Sequence, residues 1–192
     1  MDNLIKTILA VAIIALPTLS FASVSVNSAN ALLSIQADVE KLYQHVPSGK
    51  DDSSLRDIQQ KLSHATSLAN DVKDIRLQLI ADVEQLFPIL TSDADDKLRS
   101  IQTKLSDEKV KDSNIMMDIQ ADIEELFKHV KKGKRDDALR KIQQKASKAW
   151  HSAEKVKNKI RNLSADVEKL FPLLNKEADS VLRDIQVKLG DM

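Results

Sequence analysis

Four short stretches place two carboxylates two residues apart. Ala37-Asp38-Val39-Glu40-Lys41-Leu42-Tyr43 returns as Ala81 to Phe87, as Ala121 to Phe127 and as Ala165 to Phe171. Paired carboxyl groups suit general acid–base chemistry, but only where burial drives their pKa values apart. Here each pair flanks one apolar residue, so on a helix the two carboxylates point to either side of it, toward solvent. Repetition in four places on one chain points to a structural role rather than a catalytic one.

The histidines are the next candidates. His45 and His129 stand at equivalent points, each followed by Gly-Lys at 49–50 and 133–134. A metal site would want a second ligand one turn away; His129 has Glu125 there, but His45 has Lys41. Placement against a helix C-terminal dipole is the simpler reading, and no metal is expected. With no cysteine, thiol chemistry and disulfides are excluded. With three glycines and no phosphate loop, nucleophile elbow or histidine pair at helical spacing, no cofactor and no enzyme activity are expected.

Charge is the sharper signal. The formal net charge is zero, yet residues 128–161 hold 13 Lys or Arg against 3 Asp or Glu, while residues 23–127 hold 11 against 19. The first-half counterpart of the basic window, residues 44–77, balances at 5 against 5. Lys141, Lys148 and Lys155 fall seven residues apart and align on a helix, with Lys145 and Lys159 on the adjoining line. Lys131, Lys132, Lys134 and Arg135 precede them in a loop run. Together these residues predict an anion-binding face, with Trp150, the single tryptophan, as an interfacial anchor beside it.

The elements that would carry this face follow from the repeats. A second motif trails each of the first: Leu55-Arg56-Asp57-Ile58-Gln59, Leu98 to Gln102, Leu139 to Gln143 and Leu182 to Gln186. Successive copies of the first motif are 44, 40 and 44 residues apart, so the true period is 84. Apolar residues at 139, 142, 146, 149, 153, 156, 160, 163, 167 and 170 form a three-four seam, matched from Leu55 to Leu86 with Arg76 as its one polar break. No Gly or Pro falls between Lys50 and Phe87 or between Lys134 and Phe171, which predicts one long helix per period. Each would have about 36 residues and span roughly 54 Å. Asp51-Asp52-Ser53 and Asp136-Asp137 supply carboxylates for capping its start, and Pro88 and Pro172 end it.

Shorter helices before and after each long one complete the expected fold: all-α, two tandem three-helix modules, short-long-short, with coiled-coil-like heptad packing. The boundaries are residues 23–108 for an acidic first module and 109–192 for a second bearing the basic face, with the join between Ser106 and Ser113. A rival layout would break the long helix near Asn70 or Asn158 into a four-helix bundle, against a heptad phase that runs straight through. Residues 1–22 read as a signal peptide: a polar start, the apolar run Ile8 to Leu16, and small residues at Ser20 and Ala22. The run is far shorter than a membrane span needs, so no transmembrane segment is expected after cleavage, and the destination is secreted or periplasmic.

The function these features predict is an exported, non-enzymatic helical scaffold or interaction protein. Its partner would be anionic (a lipid headgroup, a polysaccharide or an acidic protein surface), or the chain would associate with itself. Few aromatics and no nucleic-acid motif argue against a nucleic-acid partner. The alternative is an amphipathic-helix lipid-binding protein, since the 44-residue spacing and proline punctuation resemble those of exchangeable apolipoproteins.

Overall fold

The computed structural model describes residues 24–48, 50, 52–107, 112–132, 134 and 136–192. The expected signal peptide, residues 108–111 of the expected join and Arg135 lie outside the described residues. Among those described, the chain is all-α, with six helices and no β-strand: α1 (Val24–Leu42), α2 (Ser53–Glu84), α3 (Asp95–Ser106), α4 (Asp112–Leu126), α5 (Asp137–Glu168) and α6 (Asp179–Asp191). No helix among them is long and apolar enough to cross a membrane.

The long helices α2 and α5 have 32 residues each, about 48 Å. Both run unbroken through Asn70 and Asn158, so the rival broken layout does not occur. Each ends four residues before a proline, at Glu84 before Pro88 and at Glu168 before Pro172. A proline ring collides with the carbonyl four residues back, which is where these helices stop. At their starts the expectation needs correction. Asp52 and Asp136 occupy the N-cap positions but make no side-chain cap hydrogen bond. Their carboxylates instead accept from the guanidinium groups one turn on, Arg56 at 3.1 Å and Arg140 at 2.8 Å. The arginine one turn on carries a full positive charge and is within reach of the carboxylate, so it competes with the backbone amide for it.

α2 and α5 lie antiparallel and share the most extensive helix–helix contact in the molecule. Alanines buried near the middle of each rod, Ala65 and Ala69 on α2 and Ala149 and Ala153 on α5, keep the side chains short there. α1 folds back along the N-terminal half of α2 and α3 along its C-terminal half; α4 and α6 do the same on α5.

Two apolar clusters result, and each draws on both halves of the chain. The first joins α1 (Leu32, Ile35) and the start of α2 (Leu55, Leu62) to the end of α5 (Leu163, Val167) and α6 (Leu182, Ile185). The second joins the end of α2 (Leu79, Val83) and α3 (Leu98, Ile101) to α4 (Ile119, Ile123) and the start of α5 (Leu139, Ile142). In cross-section each cluster is a closed ring of four helices, although only two of the four at either end are whole. Most of these large side chains are fully buried, each contributing about 1.5–3 kcal/mol relative to exposure. The turns after the helices close the ends of the two clusters. Thr91 N–H donates to the His129 carbonyl (2.9 Å), Lys131 N–H to the Ile89 carbonyl (3.1 Å), and Asn175 N–H to the His45 carbonyl (3.3 Å).

Arg76, the polar break in the α2 seam, is buried, and its guanidinium donates to the Leu105 carbonyl (2.7 Å) and the Asp107 carbonyl (3.1 Å). It caps the end of α3, whose last carbonyls lack helical partners. The residue 84 positions on is Ile160, which packs against the first cluster. Replacing Arg76 by Met is therefore expected to cost about 1–3 kcal/mol in urea unfolding, because carbonyls at the α3 end lose their donor. Ile160→Met, a change of shape alone, should cost under about 1.5 kcal/mol.

Candidate functional site

The twice-acidic motifs divide by position. Glu40, Glu84, Glu124 and Glu168 are exposed, as a solvated helix face requires. The aspartates are not, which corrects the expectation that both carboxylates face solvent. Asp38 is buried, and Asp82, Asp122 and Asp166 are partly so, each held by a lysine from another helix. Lys188 Nζ stands 2.5 Å from Asp38, Lys145 Nζ 2.5 Å from Asp82, Lys104 Nζ 2.5 Å from Asp122 and Lys61 Nζ 2.7 Å from Asp166.

All four lysines occupy one place in the second motif, two residues after its glutamine, as in Leu55-Arg56-Asp57-Ile58-Gln59-Gln60-Lys61. The two repeated motifs are thus the two sides of one contact, and all four contacts join residues from opposite halves of the chain. Adding 84 to Lys61 and taking it from Asp166 gives Lys145 and Asp82; the same operation turns Lys104–Asp122 into Lys188–Asp38. Sequence reasoning missed Lys61, Lys104 and Lys188 and set Lys145 on the anion-binding face, although their recurrence at one position in every copy was a readable signal.

Burial alone would raise the pKa of Asp38, but hydrogen bonds from Lys188 and Lys41, and their charges, outweigh it and hold the carboxyl below its ordinary 3.8. Asp166 behaves alike: burial opposes, while hydrogen bonds from Lys169 and Lys61 prevail. Lys61 rises in turn, through its bond to Asp166 first and Asp57 second.

These contacts separate the expected anion-binding residues into two groups. Lys145 is engaged with Asp82 at the α2 interface, and Lys159, two heptads along the same line, is only partly exposed. Lys141, Lys148 and Lys155 are exposed, and among the described residues no ion pair involves them. They follow one line on the unbroken α5, about 21 Å from first to last. Lys128, Lys131, Lys132 and Lys134 are exposed in the connection leading into α5; Lys131 Nζ also donates to the Pro88 carbonyl at 3.1 Å. The α2 positions corresponding to the three lysines hold Asp57, His64 and Asp71, all exposed.

Trp150 does not join this surface. Two residues from Lys148, it sits about 200° around the helix. It is half-buried against the second cluster, its ring 4.7 Å from that of His151. His45 and His129 lie in the turns after α1 and α4; His45 Nδ1 is 3.8 Å from Glu177. Among the described residues no three His, Asp or Glu side chains are grouped to hold a metal.

Comparison with known proteins finds no matching family model, no matching curated protein and no matching solved structure.

The lowered aspartate pKa values fix a sign. An Asp whose folded pKa lies below its unfolded value of about 3.9 contributes stability above that value, and loses it as pH falls through the folded pKa. Stability should therefore hold through the neutral range and decline below about pH 4. The Asp38→Asn, Asp166→Asn double variant should be less stable at pH 7 and show a shallower acid decline in urea midpoints measured by circular dichroism. An unchanged acid slope would dissociate these pairs from the pH response.

Proposed function

We propose that the chain is an exported, non-enzymatic helical scaffold or interaction protein whose basic line on α5 binds an anionic partner. In this reading the fold is two tandem short-long-short units with heptad packing, duplicated and then diverged. The observation that carries the reading is the line Lys141, Lys148, Lys155: three exposed lysines on a rigid rod, without ion pairs among the described residues. The lysines that set the register of the helices (Lys61, Lys104, Lys145, Lys188) are each matched by an aspartate, so an unmatched row is a departure from the molecule's own pattern.

A rod of charge spaced by about 10 Å per step suits an extended polyanion or an anionic surface. The apolar stripes of the helices are buried between them, which supports a packed bundle over helices that open onto lipid. The basic line remains in place whether the anion is a polysaccharide, a headgroup or an acidic protein surface.

The test is titration of the protein with heparin and, separately, with anionic lipid vesicles across a salt series. Lys141→Glu, Lys148→Glu and Lys155→Glu together should weaken binding by on the order of tenfold or more, with the melting temperature unchanged within about 2 °C. Lys145→Glu should do the reverse, lowering stability through its contact with Asp82 while leaving most of the binding. Equal binding by the triple variant would remove the proposed site.

A further inference from the structure

The pairings at the helix contacts have a property that a single chain does not need. Each of the four Lys–Asp pairs joins the first half to the second, and equivalent positions in the two halves carry the same residue. Asp38, Lys61, Asp82 and Lys104 in one half correspond to Asp122, Lys145, Asp166 and Lys188 in the other. Buried apolar residues of the long helices correspond as well, Ala65 and Ala69 to Ala149 and Ala153, and Leu79 and Val83 to Leu163 and Val167. Both apolar clusters likewise draw on the two halves together, so a first half docked on the second half of another copy would make every one of the contacts it makes within its own chain.

From this we propose that the α2–α5 surface is also an intermolecular interface, and that two copies of this chain exchange halves to form a dimer with both pairs of clusters intact. A covalent link is not required for the outer pairing. α3 and α4 are joined by residues 107–111, whereas α6 and α1, at opposite ends of the described chain, make the corresponding contact through Lys188 and Asp38. Within one chain the halves meet at an effective concentration in the mM range, so dilute protein stays closed and exchange rises with concentration during refolding. The exchanged contacts do not include Lys141, Lys148 or Lys155, so this inference stands apart from anion binding.

The experiment uses two full-length variants of opposite design. One carries Lys61→Asp and Lys104→Asp; the other carries Asp122→Lys and Asp166→Lys. Closed on itself, each sets like charges against one another in two places, but the first half of one and the second half of the other restore Asp–Lys pairs throughout. The two are unfolded together in urea, refolded at high concentration, one of them isotopically labelled, and weighed by native mass spectrometry. The expected result is a mixed dimer enriched on the order of tenfold over dimers of either variant refolded alone. It should persist when Lys141, Lys148 and Lys155 are also changed to Glu. Labelled and unlabelled unmodified chain, co-refolded in the same way, should also yield a mixed-mass dimer, which guards against failure of the variants to fold. The absence of mixed dimers in both experiments would overturn the proposal.

Discussion

Everything in this molecule depends on α2 and α5 lying antiparallel in one register. Each long helix serves two apolar clusters, lending its first half to one and its second half to the other. Neither cluster closes without the pairing, since each ring of four helices includes the α2–α5 contact as one side. Apolar burial supplies the stability, and the ion pairs supply the register. Half-exposed pairs such as Lys61–Asp166 contribute little individually, about 0–1 kcal/mol, but they discriminate among alignments that bury similar area. A slip of one heptad in one direction would set Lys61 against Lys159 in place of Asp166, exchanging attraction for repulsion.

The same pairing separates residues under structural constraint from those free to vary. Many interface positions keep their chemistry at the 84-residue offset: the four Lys–Asp pairs, Ala65 with Ala149, Ile58 with Ile142 and Leu79 with Leu163. Solvent positions do not, and α2 presents Asp57, His64 and Asp71 where α5 presents three lysines. Reversal of charge on an exposed line costs the fold little, so such a surface can change while the buried contacts remain as they were. Arg76 is an instructive exception, a buried charge with no counterpart at Ile160, held in place by the Leu105 and Asp107 carbonyls at the end of α3.

Local order was legible in the residues. The spacing of apolar positions located all six helices, and the prolines marked the ends of the long ones, because both signals act within a few residues. What could not be read locally was which flank of each helix meets which neighbour. Asp38 and Lys188 are 150 residues apart, and only the closed ring of helices brings them to 2.5 Å. Carboxylates beside a seam therefore looked solvated when they were half enclosed. The N-cap carboxylates misled for a related reason: the expected amide had a competitor in Arg56 or Arg140 on the next turn. Trp150 was placed near the lysines by sequence proximity, although two residues carry it most of the way to the opposite side of the helix.

Each cluster is built from both halves of the chain, and this can be read directly by perturbing one half and observing the other. Leu32 on α1 is fully buried in the first cluster, and Leu32→Ala should cost about 2–5 kcal/mol. Native-state amide hydrogen exchange, followed residue by residue, would show where that loss is felt. If the clusters are shared, α6 and the C-terminal half of α5 lose protection together with α1 and the start of α2. A loss of protection confined to residues 24–107, with α5 and α6 unchanged, would contradict the account.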